Sequence, residues 1–394
     1  MTAGFRVGKA LLCTTVVFTF LQAGNPGQTL AADPANVDFK RAFLESCDIA
    51  CRNIAVTAPK DDAPPVDPKY RDIFTTYKDS YSIRGLAVAY DLTGDVKYLN
   101  ACRQWANRTV RLQAGMIPAG AYYMNYGRKP GETKGEWFVA DSSSNAMAVL
   151  ATAVRVADPA QKKRYLDSVR KFAKLVMENY VGPNGGITDG CWPEYAGEWF
   201  LSTGVFGSAA FHLYKETGEE PYRKVALGAI DFLNRQDLYH VQQNVQSTTF
   251  DKHAPMVVMY FFEAYAAGLP YLEAGTPRYV AAMQKYREAL DWMARAQEGR
   301  GGKSDWKYES WQGAKFGGLP FQMYVYARAV PGNQAVELAA DQELSYISRL
   351  LAEQKPPVLS ALRSFVMLSY AEKVCPGALF RKSSDPIPTK PGKP

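Results

Sequence analysis

The chain repeats itself. Gly135-Glu136-Trp137-Phe138 recurs as Gly197-Glu198-Trp199-Phe200, 62 residues further on, and Asp79-Ser80 recurs as Asp141-Ser142 at the same offset. Thr93-Gly94-Asp95 with Tyr98 recurs as Thr217-Gly218-Glu219 with Tyr222 after 124 residues, which is two periods. Three separate pairings agree on one spacing, and a fixed spacing is the mark of a repeat architecture.

Within each period the pattern is helical. Residues 83–90 are almost wholly apolar, as in a helix buried on all sides. After the Gly-bearing turn at 93–95, residues 98–112 place apolar side chains at spacings of three and four among Arg, Gln and Asn, as a half-exposed helix does. The same alternation pairs 145–156 with 164–177, 205–214 with 222–233, 255–267 with 279–296, and 320–329 with 335–351. Two helical segments are left, 37–56 and 358–373, one at each end. If they pair with each other, six hairpins close a ring. The expected fold is therefore all-α, an (α/α)6 toroid with a repeat of about 62 residues, buried helices inside and amphipathic ones outside. An open solenoid instead needs capping ends.

The segments outside the ring have their own signatures. Arg6 and Lys9 precede an apolar stretch, Ala10–Ala23, that is short for a membrane span, and Leu30-Ala31-Ala32 offers a cleavage site. We read 1–32 as a signal peptide, 33–375 as the toroid and 376–394, rich in Pro, Lys and Ser, as a disordered tail. A secreted or periplasmic protein with no integral membrane segment after signal removal is expected. Cys47, Cys51, Cys102, Cys191 and Cys375 would remain, an odd number, and are read as mostly buried thiols.

The net charge is +7 without Lys/Arg blocks, which argues against nucleic acid and suits an anionic small molecule or polysaccharide, and equally a soluble protein with no charged ligand. Aromatics make up 13% of the chain, and such an excess suits sugar-stacking surfaces as well as helical cores. No metal-binding or nucleotide-binding pattern is present, so no metal or cofactor is expected.

Asp79 and Asp141 open consecutive inner helices and should share one rim. Two carboxyls across a sugar can serve as acid and base when their environments separate their pKa values. Either could equally be a helix N-cap. Trp137, Trp199 and Trp311 recur in the loops entering the inner helices as candidate sugar platforms. The Gly-rich stretch 185–192 holds Asp189 beside Trp192, with Tyr195 close behind, and Tyr122 to Tyr126 could form a cleft wall. Asn145 lies one turn beyond Asp141, able to bond substrate or Asp141. His212 reads as a core histidine, and His253 as the histidine best placed for acid–base or substrate contact.

The run from Asp79 to Tyr98, an Asp opening a helix that leads through an Ala-rich stretch into Thr-Gly-Asp-x-x-Tyr, together with Trp137-Phe138-Val139-Ala140-Asp141 about sixty residues later, resembles the six-hairpin glycosidases. The unsaturated glucuronyl and rhamnogalacturonyl hydrolases are the nearest in pattern. The likeness spans most of the ring, but specific motifs match in the first two repeats only, and Asn145-Ala146-Met147 stands where that family has Arg-Gly-Gln-Ala-Trp. The resemblance implies Asp79 and Asp141 as catalytic residues on an acidic oligosaccharide, one of them protonating a C4=C5 double bond before water adds at C5. A polysaccharide lyase using Tyr195 or His253 with Asn145 or Arg84, and a non-catalytic carbohydrate-binding toroid, are the alternatives.

Overall fold

A computed structural model describes residues 37–58, 76–124, 137–190, 197–237, 240–243, 246–249, 260–298, 313–330, 332–353 and 360–386. The inner helices are α2 (Thr76–Thr93), α4 (Val139–Ala153), α6 (Phe200–Thr217), α8 (Glu263–Gly268), α10 (Leu319–Ala329) and α12 (Ser360–Val374). The outer ones are α1 (Phe39–Thr57), α3 (Val96–Ala114), α5 (Pro159–Asn179), α7 (Glu220–Asn234), α9 (Pro277–Glu298) and α11 (Gln334–Glu353). Ile83 to Ala89 are buried without exception, and so are Ser142 to Ala153. The outer helices bury one stripe only: in α1 this is Phe43, Cys47, Ala50 and Ile54, at the spacing of one helical face. Helix type thus follows from the sequence pattern, apolar all round inside and striped outside.

Each inner helix packs on the next, from α2 through α4, α6, α8 and α10 to α12, and α12 packs back on α2. Helix α1 packs on α12, so the first and last segments form the sixth hairpin as expected. The recurring turn has one geometry in both copies. Gly94 and Gly218 take φ of 68° and 72°, a region open to glycine. The hydroxyls of Thr93 and Thr217 accept the N–H of Asp95 and Glu219, at 3.1 and 3.2 Å.

The base of the ring is sealed by residues 376–386, the described part of the segment expected to be a disordered tail. Residues 376–386 lie under the C-terminal ends of α2, α4, α6 and α12. The Arg381 guanidinium meets Asp91 at 2.6 Å and Arg155 meets the same carboxylate at 2.5 Å, all three buried. Arg155 also donates to the Ala378 carbonyl, and Ser383 donates to Glu216. His212 is a core residue, as expected: its Nε2–H donates to the Arg381 carbonyl at 2.9 Å, and burial pushes its pKa down to about 3. The free thiols Cys47 and Cys102 are buried and Cys51 half-buried, with burial raising all three.

One carboxylate therefore holds two buried guanidinia from three parts of the chain. Asp91→Ala should cost about 3–5 kcal/mol, the usual cost of leaving buried charges uncompensated. Glu219→Ala, which breaks the exposed ion pair with Arg170, should cost under about 1 kcal/mol. Urea-unfolding midpoints of the two variants test the contrast.

Candidate active site

The axis of the ring is polar. On α2 the residues facing inward follow the stripe Tyr77, Tyr81, Arg84, Asp91. Arg84 reaches across to Glu263 on the opposite inner helix, Nη1 to Oε1 at 2.8 Å and Nη2 to Oε2 at 3.3 Å, and its guanidinium lies 5.5 Å from the Phe380 ring centroid. This buried pair forms the floor. Arg84 is thus engaged with a carboxylate, which removes it as the uronate-neutralising residue of the lyase alternative.

Above the floor, at the N-terminal ends of the inner helices, stands Asp141. It lies in the first turn of α4 and is partly exposed, between neighbours that are almost all buried. The Tyr260 hydroxyl donates to its Oδ1 at 3.5 Å. Tyr81, whose hydroxyl sits 3.0 Å from Ser144 Oγ, feels the same carboxylate. So does Lys315, which is 4% exposed on the 3-10 turn Gly313–Gly318 that leads into α10. Burial pulls the Lys315 ammonium down to about 8, with Asp141 opposing.

The second carboxyl at this rim is Asp189. Helix α4 has Phe138 at its N-cap position, which offers no side-chain cap. Asp189 supplies one from another loop: its carbonyl accepts the Val139 N–H at 2.9 Å, and its carboxyl accepts from the Ala140 N–H. Ser202 Oγ donates to Asp189 Oδ1 at 2.5 Å. Burial, aided by the Asp141 charge, raises the Asp189 carboxyl to about 7.

Asp79 is placed differently from the expectation of a shared pocket. It sits two residues before Tyr81, so its side chain leaves α2 on the face turned from the axis. Its carboxylate accepts from Thr57 Oγ1 of outer helix α1 at 3.2 Å and lies 3.9 Å from Lys78 Nζ. It lines a small cavity with Asn53 and Ile54 of α1 and Arg363 and Ser364 of α12. The carboxyl brought beside Asp141 is Asp189, not Asp79.

The aromatic platforms also differ. Trp137 is 2% exposed, set edge-on to Tyr180 with ring centroids 5.3 Å apart, under Gly190, whose φ of 105° lets the chain cross the indole. Trp199 is 8% exposed and packs edge-on against Phe200. Both are wedges that hold the rim loops rather than open sugar-stacking faces. Asn145 is fully buried and donates to Thr76 Oγ1 at 3.1 Å, tying α4 to α2 instead of reaching substrate. Of the expected cleft wall, Tyr122 and Tyr123 are also buried. Trp192, Tyr195, His253 and Trp311 lie outside the described residues. Sequence reasoning missed Lys315 and Tyr260; the signal for Lys315 was a lone cation within Gly313-Ala314-Lys315-Phe316-Gly317-Gly318, just before an inner helix.

No metal cluster of three or more His, Cys, Asp or Glu occurs among the described residues, and no described helix is long and apolar enough to cross a membrane.

The Asp189 proton links pH to stability. The folded protein binds this proton more tightly than the unfolded chain, so the stabilisation is complete below about pH 4 and is lost as pH rises through about 7. The difference in unfolding free energy between wild type and Asp189→Asn should shrink from about pH 5 to about pH 8. Chemical denaturation across that range checks the slope; a constant difference would contradict a protonated Asp189.

No protein-family model matches the chain, and no curated protein matches it in sequence. Solved structures do match in shape. The unsaturated glucuronyl hydrolase of Bacillus sp. GL1, described as responsible for glycosaminoglycan degradation, superposes with a TM-score of 0.57 at 13% identity, covering 88% of this chain and 100% of that one. A family 105 glycoside hydrolase of C. acetobutylicum gives 0.55 at 13%, covering 86% and 100%. A family 76 glycoside hydrolase from a bovine Bacteroides thetaiotaomicron strain gives 0.53 at 11%, covering 86% and 78%. The chain has the (α/α)6 toroid fold of the six-hairpin glycosidases.

Proposed function

We propose that the protein is an exported glycoside hydrolase that acts on acidic, uronic-acid-containing oligosaccharides, with Asp141 as the residue that exchanges a proton with substrate. The observation that carries this reading is the partly exposed Asp141 carboxyl at the rim of a polar axis, among otherwise buried neighbours and a buried cation. The floor below is already neutralised by Arg84 and Glu263, so chemistry is confined to the rim. There the N-terminal ends of the inner helices add partial positive charge, which with Lys315 favours a carboxylate-bearing sugar.

On an unsaturated uronyl end, the proton of Asp141 would pass to C4 of the C4=C5 double bond. Water adds at C5 and gives up a proton, and the resulting hemiketal opens to release the next sugar. The Tyr260 hydroxyl keeps the Asp141 oxygen oriented toward the axis. Asp79, held between α1 and α12, acts through packing of the α2 start.

Mature protein beginning after residue 32 should remove the ultraviolet absorbance of the conjugated double bond from lyase-treated polyuronate. A gain of that absorbance from intact polyuronate would mean a lyase, and binding without either change a non-catalytic toroid. Asp141→Asn keeps the shape and removes the titratable proton. It should lose about 10²–10⁴-fold in kcat/KM at nearly constant Tm. Asp79→Asn should lose less activity than Asp141→Asn and more thermal stability. The reverse order would restore Asp79 to the chemistry.

A further inference from the structure

Asp189 is more than a helix cap. Capping α4 needs only neutral acceptors, and the Asp189 carbonyl already takes the Val139 N–H. Asn or Ser would serve for Ala140. Instead a carboxyl only 4% exposed stands there, and among the described residues the charged group that acts on it is another carboxylate, Asp141. A buried carboxyl beside a second carboxylate ionises only at a cost. Around them among the described residues stand Tyr260 before α8, Tyr77 and Tyr81 on α2, Ser202 on α6, and Lys315 on the turn before α10, which faces Asp141.

We infer that Asp189 is a positioning residue for Asp141: it closes the uncapped start of α4 from another loop, fixing the backbone from which Asp141 projects, and places a buried carboxyl beside the group that exchanges the proton. This rests on the reading of Asp141 as the proton-exchanging group. In turnover the proton leaves Asp141 for the substrate carbon, and the water that adds returns one, so Asp141 ends with the proton it began with. The 2.5 Å hydrogen bond from Ser202 stabilises the charged form of Asp189 and so limits how tightly the proton is held.

Carboxyl ¹³C NMR on the full mature chain, labelled at Asp, reads the pair without substrate. Wild type should show a carboxyl titrating near pH 7. In Ser202→Ala that titration should move to higher pH, since a hydrogen bond to the charged form is lost. In Asp189→Asn, which keeps the capping oxygen, it should vanish, and the titration of Asp141 should move toward acid by about one unit or more. Where an acidic oligosaccharide is turned over, the alkaline limb of kcat/KM against pH should move the same way. An Asp189 resonance in the ordinary carboxylate range, or an Asp141 titration indifferent to Asp189→Asn, overturns the proposal and leaves a cap. Absence of turnover on every acidic oligosaccharide refutes the glycosidase reading, while the NMR titrations still decide the pairing.

Discussion

The inner helices are too apolar to stand at an edge, and that constraint organises the rest. Helix α2 is buried around nearly its whole circumference, which requires a neighbour on each side. One is α4, next in the chain; the other is α12, from the far end, where Ser82 Oγ donates to Ser364 Oγ at 3.0 Å across 282 residues. Closing so long a loop costs entropy that grows only logarithmically with length, whereas an open array would expose apolar surface along two whole helices. Once α12 is seated, α1 has one place to bury its Phe43–Ile54 stripe. The C-terminal segment, already beneath the ring, seals its base.

A closed ring creates an interior with two chemically different ends. At the base, charge is neutralised where it stands: Arg84 by Glu263, and Arg155 and Arg381 by Asp91. These pairs match each buried guanidinium with a carboxylate. At the rim the balance is different. Asp189 has another carboxylate as its neighbour, Lys315 is buried enough to lose proton affinity, and of these three Asp141 keeps access to solvent. Groups whose protonation is displaced toward neutral pH cluster where chemistry is performed.

The sequence carried the ring clearly and the site only partly. Helix type is written in periodicity, and the Thr-Gly-acid turn is written in three residues whose geometry repeats at Thr93 and Thr217. Side-chain direction across helices is not written there. The 62-residue period makes Asp79 and Asp141 equivalent along the chain, yet Asp79 emerges toward α1, the helix recruited by ring closure, and Asp141 toward the axis. Trp137 and Trp199 recur for the same reason as the turn: each wedges a rim loop against its hairpin, and a motif conserved between repeats in this way reports packing. The segment after residue 375 reads as a tail by composition, but Arg381 and Phe380 find buried partners that only the assembled base provides.

Asp189 shows how a residue with a structural reason can also have a chemical one. The Gly-rich loop brings its backbone to the uncapped α4, and Gly190 then turns the chain over Trp137, so the position of Asp189 is fixed by loop and wedge together. A helix whose N-cap residue, Phe138, brings no capping side chain depends on that loop for its first hydrogen bonds. Asp141, one turn in, therefore takes its position from Asp189 as well as its electrostatic surroundings. Geometry and proton affinity at this rim are two consequences of a single contact between the start of α4 and the loop that carries Asp189.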